Sequence, residues 1–456
     1  MLKKTYKVHF VGIGGIGMSG IAEVLLNLGY KVSGSDLKSG DTVERLKTLG
    51  AKIALGHKAD NVRDVDVVVI SSAVLPDNPE VVAAKQKGIP VIPRAEILAE
   101  LMRLKKGIAI GGTHGKTTTT SMAAILMSEA GLDPTVVIGG KLNVIGSNAK
   151  LGRGEYLVAE ADESDGSFLH LSPTVNIVTN IDDDHLDYHG NMENLKSVFI
   201  NFMNKVPFYG FSVVCADDAN IRSILPAVTK KYMTYGIKEK ADLTASGIKF
   251  RNFGGSYTLT YLGKRMGKIE LNVPGLHNVL NSMAVAGTGL GLGLSFSKIR
   301  SALKKFTGVQ RRFEKIGEAQ GILVVDDYGH HPTEISSTLK AAKNLKMKRT
   351  IAVFQPHRYS RSKLLYPKFC TAFFDAALIV VTDIYPAGEK PLANVSAELI
   401  ANGIKANGKQ VVFIKNKEEI PAYLKKTARS GDLVITLGAG DIRKYGEIFY
   451  REIAGK

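Results

Sequence analysis

Two glycine-rich turns, each placed directly after a short apolar run, constrain this chain more than any other feature. The first is Gly12-Ile13-Gly14-Gly15-Ile16-Gly17, after residues 7–11. The second is Gly111-Gly112-Thr113-His114-Gly115-Lys116-Thr117-Thr118, after residues 108–110. An apolar strand, a glycine turn and a helix start together present backbone N–H groups to an anion. Glycine lets that backbone approach phosphate oxygens closely. The first turn has no lysine and suits a diphosphate. The second has a lysine followed by a hydroxyl residue, which suits a triphosphate with magnesium. A chain with both is built to use ATP on a second, nucleotide-like substrate.

At 456 residues the chain is too long for one core, so two or three domains are expected. Hydrophobic residues at 45% and charged residues at 23% fit a folded globular protein rather than a disordered one. The formal charge of +17 raises the question of nucleic acid. Lysines such as Lys38, Lys47, Lys85 and Lys87 are scattered among acids, and no basic block is interleaved with aromatics. We read the excess as a solvated lysine-rich surface that steers polyanionic substrates, with no nucleic-acid partner. Cys215 and Cys370 are the only cysteines, which excludes a disulfide framework and a CxxC metal pair and fits a reducing cytoplasm. Residues 1–4 and the apolar stretch behind them mimic a signal peptide, but the glycines and Glu23 make it strand, loop and helix instead. No run of apolar residues is long enough for a membrane span. The expected location is cytoplasmic.

The pattern divides the chain into three α/β domains, 1–105, 106–309 and 310–456. In the first, strands at 7–11, 31–33 and 65–70 alternate with helices at 19–28 and 42–49, giving a Rossmann-like parallel sheet. The second has strands at 108–110, 135–138, 156–159 and 175–179. The last two are unusually apolar, as parallel strands buried on both faces are. Alternation at 256–261 and 268–273 around Gly263 predicts an antiparallel hairpin on this central ATP-binding sheet. The third domain is a further Rossmann-like sheet with strands at 322–325, 351–354, 378–381 and 433–437. Their carboxyl ends carry Asp326 to His331, Gln355 to Arg358, Asp383 to Tyr385 and Gly438 to Asp441. Ligands collect at such strand ends.

The second turn departs from G-x-x-x-x-G-K-[ST], because the first glycine of that pattern falls on Ile110. What remains is Gly112-Thr113-His114-Gly115-Lys116-Thr117. Lys116 reaches terminal phosphates and the Thr117 hydroxyl reaches magnesium. Magnesium takes oxygen ligands, and Glu160, Asp162, Glu163 and Asp165 follow the apolar run 156–159. His185 follows the next strand. The residues alone leave Asp182 and Asp183 open between a solvated turn and a metal site. His185 and His189 lack the HExxH setting of a zinc pair. The first turn, Gly12-x-Gly14-x-x-Gly17 with Asp36 after it, matches the dinucleotide pattern and by itself points to an NAD-dependent oxidoreductase. The Lys116 turn decides against that, since UDP-linked acids carry the same diphosphate.

Together these residues resemble the Mur ligases of bacterial peptidoglycan synthesis, over essentially the whole chain. The resemblance is carried by residues 12–20 (GIGGIGMSG), 112–118 (GTHGKTT), 160–165 (EADESD) and 180–185 (NIDDDH), by His277, Asn278 and Asn281, and by 311–314 (RRFE), 326–332 (DDYGHHP), 354–361 (FQPHRYSR) and 383–388 (DIYPAG). The closest branch is the one that joins L-alanine to UDP-N-acetylmuramic acid. A ligase that adds a tripeptide to the same acid in murein recycling is the alternative. The resemblance implies that Gly12, Gly14, Gly15, Gly17, Asp36 and Ser71 hold the UDP moiety. Gly112, Thr113, His114, Gly115, Lys116, Thr117 and Thr118 would hold ATP, with Thr117 and Glu160 on magnesium. His185 would serve a second magnesium ion. Asn278 and Asn281 would read adenine, Arg312 would reach phosphate, and Asp327, Tyr328 and His330 would close over the nucleotide. His357, Arg358 and Arg361 would face the substrate and the amino acid, with His357 open between a general base and a hydrogen-bonding scaffold. Closure of the third domain is expected to complete the site. Several Mur ligases carry a carbamylated lysine where this chain has Ile200. The alanine-adding branch is similar in lacking it. Sequence leaves the oligomeric state open, and also the choice among L-alanine, glycine and L-serine.

Overall fold

The apolar runs of the first hundred residues become five parallel strands, β1 (Lys7–Val11), β2 (Lys31–Asp36), β3 (Lys52–Leu55), β4 (Val67–Ile70) and β5 (Val91–Pro93), in the order β3-β2-β1-β4-β5. The structure is a computed structural model and describes residues 6–71, 73–142, 147–164 and 166–455. Residues 1–4 and Asp165, singled out above, lie outside them. The order of strands reverses between β1 and β4. Open α/β sheets bind ligands at such a switch point, beyond the carboxyl ends of the strands. The first glycine turn leaves β1 there, and Ser71 leaves β4 beside it.

The second sheet has ten strands: β6 (Lys106–Gly111), β7 (Thr135–Leu142), β8 (Ser147–Lys150), β9 (Tyr156–Glu160), β10 (Val175–Val178), β11 (Phe211–Cys215), β12 (Tyr232–Gly236), β13 (Leu243–Arg251), β14 (Gly254–Tyr261) and β15 (Lys264–Leu271). Their order is β15-β14-β13-β12-β11-β10-β6-β9-β7-β8. The glycine turn of Lys116 leaves β6, between β10 and β9, again where the order reverses. The expected hairpin is one strand larger than its sequence pattern. β13, β14 and β15 follow one another through the two-residue turns 252–253 and 262–263, with Leu262 and Gly263 at φ 46 and 79°. Two positive φ values in sequence suit a hairpin turn. β15 also begins four residues earlier than the alternation shows, because Lys264, Arg265 and Gly267 leave Met266 as the one large apolar residue of its first half. β8 pairs antiparallel with β7 at the opposite edge and has no apolar signal at all.

The third sheet runs β16-β17-β21-β18-β19-β20, with β16 (Glu314–Ala319), β17 (Ile322–Asp327), β18 (Arg349–Phe354), β19 (Leu378–Val381), β20 (Gln410–Phe413) and β21 (Asp432–Leu437). β16 is antiparallel and the rest are parallel. The edge strand β16 escapes a search for apolar runs because it is half polar and only partly buried, whereas β20 carries Val411, Val412 and Phe413 packed partly buried against both cores. Alternate residues fill two cores. Leu323, Val325, Ala352, Phe354 and Ile435 face one layer, and Val324, Ile351, Val353 and Val434 face the other. β17, β21, β18 and β19 are parallel neighbours, so their four polar strand ends share one edge.

The chain forms two units of dense internal packing. One comprises 1–247, 258–269 and 280–306, and the other 248–257, 270–279 and 307–456. Cys215 and Cys370 are both buried, and burial pushes the Cys215 thiol up to about 12. Among the described residues no helix is long and apolar enough to cross a membrane. Phe354 packs its ring 5.4 Å from Phe369 and 5.1 Å from Phe373. Phe354→Ala is expected to destabilise the protein by about 3–5 kcal/mol, read by chemical denaturation. A loss of about 1 kcal/mol or less would mean that this layer refills the space.

Candidate functional site

At the first turn, Gly12 donates its N–H to Ser35 O at 2.9 Å, and Asp36 takes the N–H of Gly14 on Oδ2 at 2.9 Å. Asp36 also accepts from the Lys38 N–H at 3.2 Å. The carboxylate at the end of β2 thus braces the turn that leaves β1. The helix Ile16–Asn27 begins directly after Gly15. Ser71 accepts a turn bond from Val74 N at 3.0 Å. Arg94, which the sequence reading passed over, lies against Gly17 and reaches Asp162 Oδ2 at 3.3 Å. It therefore stands between the first turn and the acidic turn beside the second. No local signal marks it, since its partners lie far along the chain.

The second turn is held by the end of β10. Thr113 donates its N–H to Asn180 O at 3.0 Å, and His114 donates its N–H to Asn180 Oδ1 at 2.8 Å. Thr179 Oγ1 and Asn180 Nδ2 both donate to His114 O, at 2.6 and 3.0 Å. His114 Nε2 meets Asp182 Oδ2 at 3.0 Å, and Asp182 N donates to Thr113 Oγ1 at 2.9 Å. Asp182 is thereby a structural partner of the turn. Gly112 has φ 121°, and a Cβ there would collide with Thr179 Oγ1. Gly115 is left-handed at φ 82°, and a Cβ there would stand 2.7 Å from Asn281 Oδ1. Both glycines are required. The helix Lys116–Glu129 starts next, with Thr117 and Thr118 buried in its first turn. The leading N–H groups of a helix have no intrahelical acceptor, so this end favours an anion.

Lys116 folds back over the turn. Its ammonium donates to Gly112 O at 2.8 Å, Thr113 O at 3.1 Å and Glu163 Oε1 at 2.8 Å. Burial alone would favour the neutral amine, but Glu163, Asp162 and Glu160 outweigh it and hold Lys116 above the ordinary lysine range. Burial would also raise Asp162, yet Lys116 and Arg94 keep it below the usual carboxylate range. Glu160 ends β9 directly opposite Ile110 of β6, at the base of the turn. His185 has φ 58°, an uncommon conformation for a non-glycine residue, and its Nε2 lies 3.6 Å from Asp184 Oδ2. His189 Nε2 is committed to the Glu163 carbonyl at 2.8 Å, so the pair His185 and His189 does not converge as two ligands. Ile200 sits within the helix Met192–Asn204. Asn278 and Asn281 lie one turn apart on the helix Leu276–Gly291, both buried.

At the third sheet, Asp327 is buried and takes backbone N–H bonds from Phe313 and Gly329, each at 2.8 Å. Burial raises its carboxyl to about 6. It fixes the bend at Arg311, Arg312 and Phe313, where Arg311 and Phe313 have φ 61 and 48°. The Tyr328 ring lies 5.0 Å from the Arg311 guanidinium and 5.1 Å from that of Arg312. Arg312 also pairs with Glu334 at 3.6 Å, and Glu334 takes the N–H of His330 at 3.1 Å. Glu334 could have been found from sequence, because His331-Pro332-Thr333-Glu334 has the spacing of a capping box, which the structure contains. His330 and His357 have ring centroids 5.7 Å apart, and His357 stacks on Tyr385 at 5.6 Å and 7°. Arg358 has φ 69° and donates its N–H to Tyr385 O at 2.9 Å. Strain of this kind gathers at functional sites. Ser360 is held by Glu389 through both its N–H and its hydroxyl.

Arg361 Nη1 lies 3.4 Å from His357 Nδ1. Guanidinium only donates, so Nδ1 accepts and the imidazole proton sits on Nε2. Burial, with Arg361 and Arg358 nearby, lowers His357 to about 4. Burial with Arg312 likewise lowers His277 to about 4. Both fall below the unperturbed value of about 6.5. Their neutral forms contribute stability that is fully present above that value and is lost as pH falls through 4. Imidazole NMR should therefore find His357 as the Nε2–H tautomer from about pH 6 to 8, with a midpoint near 4. A midpoint above 6 would contradict the Arg361 contact.

Three family models match in order. They are the Mur ligase family catalytic domain at residues 7–106, the Mur ligase middle domain at 110–289, and the Mur ligase glutamate ligase domain at 311–440. The UDP-N-acetylmuramate–L-alanine ligase of Pelobacter propionicus is 59% identical over 450 residues, covering 98% of each chain. The protein of the same name from Geobacter sulfurreducens is 56% identical over 456 residues and covers 99% of each. The crystal structure of UDP-N-acetylmuramate-alanine ligase from Thermotoga maritima matches with a TM-score of 0.85 at 32% identity, covering 99% of this chain and 100% of that one. A murein peptide ligase from Psychrobacter arcticus shares the fold, with a TM-score of 0.73 at 24% identity and 99% coverage of each chain.

Proposed function

The chain belongs to the Mur ligase family, and on that premise we propose how it works: it joins L-alanine to the carboxylate of UDP-N-acetylmuramic acid in an ATP-dependent reaction of peptidoglycan precursor synthesis. The observation that carries this reading is the half-buried Lys116 ammonium, charged and poised at a helix start beside Glu160 and Glu163.

A carboxylate does not condense with an amine in water, because its oxygen is a poor leaving group. Phosphoryl transfer from ATP gives an acyl phosphate, whose phosphate leaves well. Catalysis of both steps is positioning and electrostatic stabilisation of developing charge. Gly112, Thr113, His114 and Gly115 shape the turn, the leading N–H groups of the helix at Lys116, Thr117 and Thr118 receive the phosphates, and the Lys116 side chain supplies a cation. Thr117 and Glu160 offer the hard oxygen donors that magnesium takes, and His185 stands ready for a second ion. When bound, magnesium neutralises phosphate charge. Asn278 and Asn281 read the adenine edge. Arg312 and Tyr328 serve the nucleotide from the third sheet, where Asp327 holds the backbone next to each of them and Glu334 pairs with the Arg312 guanidinium. Gly12, Gly14, Gly15 and Gly17, braced by Asp36, take the UDP diphosphate with Ser71.

His357, Arg358 and Arg361 face the amino acid. With a pKa of about 4, His357 is a poor acceptor for a proton from the α-ammonium group of free alanine, which lies above the value of about 8 of a peptide terminus. The gap exceeds about four units, or about 5 kcal/mol. His357 is therefore assigned to hold Arg361 and orient the substrate, and alanine attacks as the amine. Its use of ATP and a nucleotide-linked precursor assigns the enzyme to the cytoplasm.

Lys116→Ala should lower kcat/KM by about 10²–10³ or more. Purified protein given UDP-N-acetylmuramic acid and ATP should release phosphate with L-alanine and not with the tripeptide. Release with the tripeptide alone would favour the recycling reaction instead.

A further inference from the structure

We propose that Glu163 is a positioning residue that competes with nucleotide phosphate for Lys116 and so sets nucleotide affinity. An ammonium has three hydrogens to donate, and all three are engaged, by Gly112 O, Thr113 O and Glu163 Oε1. A phosphate oxygen gains a bond from Lys116 only by displacing one of them. Two are main-chain carbonyls of a turn anchored to Asn180 through Thr113 N and His114 N. The third belongs to a side chain, which can swing on its rotamers.

The Glu163 backbone is itself fixed. Its carbonyl accepts from His189 Nε2 at 2.8 Å and from Gly166 N at 3.0 Å. Only its side chain is left to move. That side chain is 1% exposed, and among the described residues its Oε2 is buried without a hydrogen-bond partner. Buried polar atoms are nearly always paired, so a half-satisfied carboxylate is not an optimised structural ion pair. It is one that a stronger acceptor, a polyphosphate, can replace. Glu163 also places negative charge where phosphate must come, so it weakens nucleotide binding twice, by holding the lysine and by repulsion. The consequence is easier release of the product diphosphate.

The test is calorimetric titration of the full-length protein with MgADP, with thermal melts as a fold control. Glu163→Gln keeps the shape and removes the charge. It should bind MgADP roughly 10-fold more tightly, the scale of one charge-assisted hydrogen bond. The KM for ATP should fall while kcat does not rise. Glu163→Asp keeps the charge one methylene further from Lys116 and should lie between wild type and Glu163→Gln. It carries the same test if the glutamine variant fails to fold. Unchanged or weaker MgADP binding by the folded variants would overturn the proposal. The proposal rests on Lys116 as the nucleotide lysine, so Lys116→Ala is titrated alongside. Wild-type affinity in Lys116→Ala would remove that reading. Lost affinity in Lys116→Ala with none gained in Glu163→Gln would remove only the role of Glu163.

Discussion

One half-buried cation organises the nucleotide end of this enzyme. The Lys116 ammonium sits at the foot of β6 and the head of a fully packed helix, bound to two carbonyls of its own turn and to Glu163. A lone ammonium in that position would lose its proton or move to water. The acids Glu160, Asp162 and Glu163 prevent both, and they are delivered by β9, the strand next to β6. The parallel sheet is thus more than a scaffold. Its register brings a carboxylate-bearing strand end beside a lysine-bearing turn, and neither is stable there without the other.

The third sheet solves a different problem, holding Arg311 beside Arg312, and His357 beside Arg358 and Arg361, without mutual repulsion. Asp327 secures the backbone bend, Tyr328 lies against both guanidinium groups, and Asp326 and Glu334 partner Arg311 and Arg312. His357 and His277 respond by staying neutral. A neutral imidazole next to Arg361 accepts a hydrogen bond instead of adding charge. The positive φ values at Arg311, Phe313 and Arg358 mark where the backbone bends to make this possible.

Most of the architecture was legible because buried parallel strands are apolar throughout and glycine turns are unmistakable between them. The strands at 7–11 and 378–381 coincide with β1 and β19 to the residue, and the one at 351–354 lies within β18, which begins two residues earlier. What escaped were the edge strands β3, β5, β8, β16 and β20, and also β11 and β12 inside the second sheet. β8 and β16 are at least half polar, so pairing with a neighbour defines them and periodicity does not, whereas β11 and β20 carry the apolar pairs Val213-Val214 and Val411-Val412. The hairpin was visible as two alternating runs, but its third strand was not, since β13 alternates only weakly. Among site residues, the turn lysine, its threonine and the acids after β9 follow from local pattern and spacing. Arg94 and Glu389 do not, because each is defined by a partner distant in sequence.

The sequence by itself determined the chemistry on offer: a triphosphate turn, a diphosphate turn and a cluster of basic and acidic strand ends, each encoded within a few consecutive residues. Only the tertiary structure decided which of these groups are spoken for. Asp36 braces a turn, Asp327 holds a bend, His189 is occupied by a carbonyl, and Glu163 grips Lys116 with one oxygen still unmet among the described residues. The physical reason is that a side chain's type sets what it can bind. Burial and the strand beside it set whether that capacity is already used.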